Sequence, residues 1–286
     1  MNISKTIAFF GAHPDDETFG PGATLASYSL KGAKVYYVCA TRGEAGTVDS
    51  RYLKEHDTIA ELRTAEMACA ARALGLTGVL YLGFRDSGMP GSSDNTSPEA
   101  LMNAPETEVE RRVVKAMREI KPDVVITHDP SGGYGHPDHV AVHRAVVKAF
   151  VLAGNPEQYP DEGMPFSPRK LYFTVRRKRL LRLMVKLMPL FGQDPKRSGR
   201  NGDVDLTCIA RTEYPINAEI RISKQAAAMR KVAIDCHHSQ GGGRPHTTLL
   251  DSIIGLLGRL AGNRDYYMRV YPLPGKKEKD LLYGTG

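Results

Sequence analysis

A chain of 286 residues, 41% hydrophobic and 25% charged, can bury one large α/β core, and none of its apolar runs approaches the ~18–20 residues of a membrane span. Its formal charge of +7 is drawn largely from residues 169–186 and not from basic stripes with interleaved aromatics, so no nucleic-acid partner is expected. The four cysteines (Cys39, Cys69, Cys208, Cys236) are far apart and form no Cys-x-x-Cys pair, which argues against a thiolate zinc knuckle or a disulfide framework and fits a reducing, cytoplasmic location.

The first residues, MNISKTIAFFGAHPDDE, hold one lysine and a short apolar run that ends in acids, and do not read as a signal peptide. Residues 6–12 (TIAFFGA) are expected to form a buried strand. A helix over 22–31 follows, stopped by Gly32, then a strand over 34–40 in which Cys39 reads as a small buried hydrophobe, and the loop TRGEAG. The segment 57–74 predicts a strong helix, capped by Asp57 or Thr58 and ended by Gly75, with Cys69 on an apolar stretch of it. A third strand is expected over 78–84, a charged amphipathic helix over 106–120, a fourth strand over 123–128 and a helix over about 137–152. Pro- and Gly-rich residues 154–168 read as a connection. Beyond it come an expected strand over 170–176, a basic amphipathic helix over 178–190, a loop over 192–203, strands near 204–210 and 267–271, and a helix over 223–236.

Strands alternate with helices through the first 150 residues, and the strands lack a polar face. That pattern predicts an α/β fold with a Rossmann-like, doubly wound, mainly parallel sheet covered on both sides. Residues 1–153 would form the core that carries the site, and residues 154–286 would pack on it, completing the fold and the cleft as one integrated domain. Ligands in such sheets bind outside the carboxyl ends of the strands. His13 follows the first strand, Glu44 the second, Asp86 the third, and His136 and His139 the fourth, so one rim gathers them all.

Ala-His-Pro-Asp-Asp-Glu (12–17) brings a histidine and carboxylates to one corner. His13 and Asp16, three residues apart, would share a side of a turn, and imidazole nitrogen and carboxylate oxygen are good zinc ligands. Asp15 would lie near the metal and take a proton from water as general base. A plain helix N-terminus would also attract these acids, though it would not call for the histidine. In Tyr134-Gly135-His136-Pro137-Asp138-His139, Pro137 suits the first helical position. His139 is the expected third ligand. His136 would donate to charge developing on a substrate oxygen, with Asp138 orienting it. His143 reads as a packed helix-face residue, and His128 could serve either role. His56 and His246 have weaker context, whereas His237-His238-Ser239-Gln240 at a helix end could enter the rim.

With these residues in view, the chain resembles the PIG-L/LmbE-like family of metal-dependent N-acetylglucosaminyl deacetylases, which includes enzymes of mycothiol and bacillithiol biosynthesis and the GlcNAc-phosphatidylinositol deacetylase. The resemblance rests on AHPDDE (12–17), TRGEAG (41–46), the helix segment from Arg63 to Glu66, RDSGM (85–89), GYGHPDHVAVH (133–143) and HHSQ (237–240). It implies a zinc site of His13, Asp16 and His139, with Asp15 as base, His136 as oxyanion stabiliser, Asp138 as its partner, and Tyr134 reaching the substrate carbonyl; either Asp15 or His136 would be the general acid. It further implies sugar contacts by Glu44, Arg63 and Asp86, with His238 the matching histidine of the C-terminal stretch. Iron(II) suits the same ligands as zinc.

The expected activity is hydrolysis of an N-acetyl group from an N-acetylglucosamine-type sugar or its conjugate. A same-family amidase acting on a thiol-sugar conjugate or another amide is the near alternative, and a non-catalytic sugar- or nucleotide-binding module the distant one. The partner is a small molecule. A homo-oligomer is compatible with the sequence, and the basic segment 176–190 is either a solvated helix or a membrane-surface contact.

Overall fold

The structure, a computed structural model, describes residues 5–198, 202, 204–242 and 264–285. His246 and part of the expected 192–203 loop lie outside these residues. Each strand-to-helix unit follows from its local sequence. Strand β1 (Thr6–Gly11) is buried along its whole length, as its unbroken apolar run requires of a central strand. The short helix α1 (Asp16–Phe19) and helix α2 (Gly22–Leu30) lead to β2 (Lys34–Cys39). Helix α3 (Ile59–Leu74) starts where the Thr58 hydroxyl accepts the Glu61 N–H, and ends at Gly75 with φ 69°, so Thr58 is the cap.

Strand β3 (Gly78–Tyr81), helix α4 (Glu106–Ile120) and strand β4 (Val124–Thr127) continue the alternation. The kinked turn α5 (Gly132–Gly135) and helix α6 (Pro137–Leu152) follow, then β5 (Lys170–Val175), α7 (Arg179–Leu187), α8 (Leu206–Arg211), β6 (Ala218–Arg221), α9 (Lys224–Cys236) and β7 (Arg264–Tyr271).

The described strands form one seven-stranded sheet in the order β3-β2-β1-β4-β5-β7-β6. Pairing is parallel from β3 through β5 and antiparallel where β7 joins β5 and β6. Residues alternate between two cores, as a two-fold strand period requires. Ile7 and Phe9 face α2, α3 and α9 through Leu25, Met67 and Ala233. Ala8 and Phe10 face α4 and α6 through Val113, Met117, Val142 and Val146. The winding reverses between β1 and β4, which are neighbours, so the crevice for a ligand opens where the loops after these strands part.

Three expectations are corrected here. Residues near 204–210 hold a helix, α8, because the Asp205 carboxylate accepts the N–H groups of Thr207 and Cys208 and so starts a turn. Strand β6 was not foreseen, since four residues between polar neighbours leave too short a pattern to read. Cys69 and Cys236 form a disulfide, and Cys69 is only half-buried. Their pairing depends on α3 and α9 lying side by side on one face of the sheet, which no local spacing reveals. Cysteine usage therefore no longer favours a reducing compartment. Cys39 is free and buried, as expected.

Candidate metal centre and active site

The turn after β1 is built from the strand outward. A Cβ on Gly11 would meet the Tyr37 hydroxyl at 2.7 Å, so only glycine lets that hydroxyl reach the His13 carbonyl, to which it donates at 2.6 Å. The Asp16 carboxylate folds back over the strand end, where Oδ2 accepts the N–H groups of Ala12 (2.8 Å) and His13 (2.9 Å). Its other oxygen, Oδ1, lies 3.2 Å from His139 Nε2. Across the crevice, His136 caps α6 by accepting the Asp138 N–H on Nδ1, and Pro137 fills the first helical position. One turn on, His139 Nδ1 lies 3.1 Å from the Gly132 carbonyl. That carbonyl takes the ring proton and leaves Nε2 as a bare acceptor.

His13 Nδ1 lies 3.2 Å from His139 Nε2 and 3.9 Å from Asp16 Oδ2. A tetrahedral ion with bonds of about 2.0–2.1 Å separates its donor atoms by ~3.3 Å. The opposite nitrogen of His13, Nε2, faces Asp138 at 3.2 Å and Asp86 at 3.4 Å, which draw its proton to that side. His13 Nδ1, His139 Nε2 and the two oxygens of the Asp16 carboxylate thus converge, a donor set that a cation would satisfy by displacing ring protons. Burial opposes charge on His13, but Asp86, Asp138 and Asp16 outweigh it and raise its pKa well above the usual histidine range. His139 and His128 likewise overcome burial and hold Asp16 well below the usual carboxylate range. His128 adds a further donor: its buried Nε2 lies 3.4 Å from Asp16 Oδ2, without a hydrogen-bond partner, and its ring stacks on His139 at 4.0 Å.

The remaining candidates divide by what their side chains touch. Asp15 stands beside the cluster with its carboxylate 3.1 Å from Arg63 Nη2. Burial raises its pKa to about 6, with Arg63 pulling the other way. Arg63 is itself buried and donates to the carbonyls of Pro14 (2.7 Å) and Gly43 (3.1 Å). Gly43, φ 72°, passes so close that a Cβ would meet the guanidinium at 2.1 Å. Asp86 is buried against His13 and accepts the Gly88 N–H. Arg63 and Asp86, expected to contact the sugar, each have partners inside the protein. Glu44 is half-buried and accepts the N–H groups of Asp86 (3.1 Å) and Arg42 (3.3 Å).

Asp138 does not orient the His136 ring through its carboxylate, which instead binds Ser87 and faces His13. Burial, followed by the nearby His13 and His139, lowers the His136 pKa to about 2. The ring is then neutral at neutral pH, and with Nδ1 accepting, its proton sits on Nε2. Tyr134 is 41% exposed, its ring 5.1 Å from His139 and 6.0 Å from His136, so it stands at the mouth. His238 is exposed and its neighbour His237 fully buried, 2.9 Å from Glu17 Oε1. His143 packs on Phe173 with Nδ1 2.9 Å from the His128 carbonyl, a packed residue as expected. Sequence reasoning gave no role to Ser87, Glu17, Glu66 or Ser239. The signal for Ser87 was its place in RDSGM, and for Ser239 its place in HHSQ.

A family model described as GlcNAc-PI de-N-acetylase, PIG-L, matches residues 8–150. A protein of Kineococcus radiotolerans named 1D-myo-inositol 2-acetamido-2-deoxy-alpha-D-glucopyranoside deacetylase is 43% identical over 210 residues, 68% of this chain and 58% of its own length. The chain thus spans less than two thirds of that relative. A protein of the same name from Thermobispora bispora is 39% identical over 236 residues, covering 79% of this chain and 78% of that one. Among solved structures, the N,N'-diacetylchitobiose deacetylase of Pyrococcus horikoshii superposes with a TM-score of 0.62 at 20% identity, over 94% of this chain and 84% of that chain. That last likeness is one of fold.

Proposed function

Because the chain belongs to the PIG-L family, we propose that it is a metal-dependent N-deacetylase that removes the acetyl group from an N-acetylglucosaminyl conjugate. The reading is carried by one observation: His13 Nδ1, His139 Nε2 and the Asp16 carboxylate converge within 3.2–3.9 Å beside Asp15. His13, Asp16 and His139 would hold the ion, with His128 near enough to join them. Zinc suits this donor set, and so does iron(II). A divalent cation there would lower the pKa of a water molecule and polarise the acetamide oxygen.

The side chains do the rest. Asp15, ionised at neutral pH, takes the proton as the water oxygen attacks the acetyl carbon. His136 donates its Nε2 proton in a hydrogen bond to the developing oxyanion, and Tyr134 can add its hydroxyl from the mouth. The protonated Asp15 returns its proton to the sugar nitrogen as the C–N bond breaks, so acetamide plus water gives acetate and a free amine. Arg63 keeps Asp15 in place, and Asp86 and Asp138 fix the ring of His13. Glu44, half-buried on the rim, is the proposed contact for sugar hydroxyls, and exposed His238 the contact for the group the sugar carries. The substrate in the relatives' name, 1D-myo-inositol 2-acetamido-2-deoxy-alpha-D-glucopyranoside, is the first choice for this chain.

Acetate release from that conjugate, from N-acetylglucosamine and from other N-acetyl sugars is the test. It should vanish on chelation, return with zinc or iron(II), and fall sharply in Asp15→Asn. A protein that holds its metal and releases acetate from none of the sugars would overturn the reading.

A further inference from the structure

Asp15 has φ 123°, a backbone region that residues with a side chain avoid. Its side chain and the preceding carbonyl are held by Arg63. Its peptide N–H is held from the opposite direction: Glu17 Oε2 accepts it at 3.0 Å. Glu17 is fully buried, and its second oxygen accepts the Thr18 hydroxyl and lies 2.9 Å from His237 Nε2. His237 is also fully buried and stands 220 residues further along the chain, at the residue that ends α9. The end of α9 is pinned in turn. Ser239 donates its N–H and its hydroxyl to Glu66, each at 2.7 Å, and Cys236 is bonded to Cys69. Glu66 and Cys69 both lie on α3, the helix that carries Arg63. One helix pair therefore grips Asp15 on both sides.

We infer that the Glu17–His237 pair is a positioning device for Asp15, holding its strained peptide so that the carboxylate faces the water side of the metal centre. Among the described residues, the His237 ring hydrogen-bonds to Glu17 and to none of His13, Asp16 and His139. It acts through Glu17, whose other carboxylate oxygen holds the one peptide that would otherwise relax. The inference rests on the reading of Asp15 as general base.

The test compares substitutions that separate hydrogen bonding from packing in the metal-loaded, full-length protein. His237→Leu fills the space without a donor, and His237→Gln keeps an N–H that can reach Glu17. Positioning predicts that His237→Leu lowers kcat about 10- to 100-fold, in the range of lost supporting hydrogen bonds at metal sites. KM and bound metal stay near those of the wild type, Tm falls because the buried Glu17 carboxylate loses a partner, and His237→Gln recovers much of the rate. In His237→Ala, added imidazole should restore part of kcat by occupying the emptied space. If His237→Leu is as active as the wild type, or if His237→Gln is no better than His237→Leu, the inference is wrong while the deacetylase reading stands. If the metal-loaded wild type itself releases no acetate, both fall together.

Discussion

Replacing Asp138 should weaken metal binding although Asp138 is no ligand in the proposed site. Its carboxylate is fully buried. Oδ1 accepts the Ser87 hydroxyl, while Oδ2 accepts the Ser87 N–H at 2.9 Å and lies 3.2 Å from His13 Nε2. Asp138→Ala strands the Ser87 N–H and weakens the hold on the His13 proton. A buried donor left without a partner costs ~1–3 kcal/mol. The ring keeps Asp86 at 3.4 Å as a remaining partner, so the damage to the site is bounded. The expected loss of metal affinity is about 10- to 100-fold, equivalent to ~1.4–2.8 kcal/mol. Asp138→Asn, whose amide oxygen can take the place of Oδ2, should fall at the lower end. Asp86→Asn combined with Asp138→Asn should lose more than the product of the single losses, because each carboxylate partly covers for the other. Competition with a chromogenic chelator gives the affinities, and thermal unfolding of the metal-free variants separates any cost to the fold. The reasoning is refuted if Asp138→Ala binds metal within twofold of the wild type, or if the double variant is merely additive.

The Cys69–Cys236 bond closes a loop of 167 residues, so Cys69→Ser should destabilise the protein by about 2–4 kcal/mol; denaturant unfolding with and without a dithiol reductant measures it, and an unchanged midpoint counts against the bond. Glu219 is buried among Lys277, Arg264 and Arg177. The hydrogen bonds from Lys277 and Arg264 lower its pKa to about 2, from a usual value of about 4.3. A carboxylate held low stabilises the fold above its unfolded pKa and loses that contribution as pH falls through the folded value. Tm of the wild type should therefore drop more steeply than that of Glu219→Gln between about pH 4.5 and pH 2, and parallel Tm curves would refute this.

Much of the site could be read before the fold because the doubly wound sheet does the gathering. The apolar runs at 6–12 and 123–128 mark β1 and β4, and in a sheet whose winding reverses between those strands their following loops must face one crevice. His13, Asp15, Asp16, His136 and His139 all lie on those loops or on the first turn of the helix after them. What sequence position does not carry is the direction of a side chain. Arg63 and Asp86 sit at rim positions and were expected to contact a sugar; inside the protein one binds the Pro14 and Gly43 carbonyls and the other lies against His13. Asp138, two residues from His136, was expected to orient that ring. As the second helical residue of α6 it points across the crevice to β1's loop.

Distance along the chain explains the rest. The groups that hold the metal-binding turn from behind come from 48 residues away in Arg63, and from 220 in His237, while the support for Asp138 comes from 51 in Ser87. None of these residues lies in a pattern of its own that requires the contact: an arginine inside a helix and a serine in a turn fit many structures. The strained φ of Asp15 is equally silent, since aspartate in a turn has several ordinary conformations. A reactive carboxylate can be recognised from its neighbours, but the constraint that keeps it reactive belongs to the hold of α3 on the turn before α1 and of α9 on α1 itself. Substitutions on those two helices should therefore alter the rate without touching any residue in the crevice.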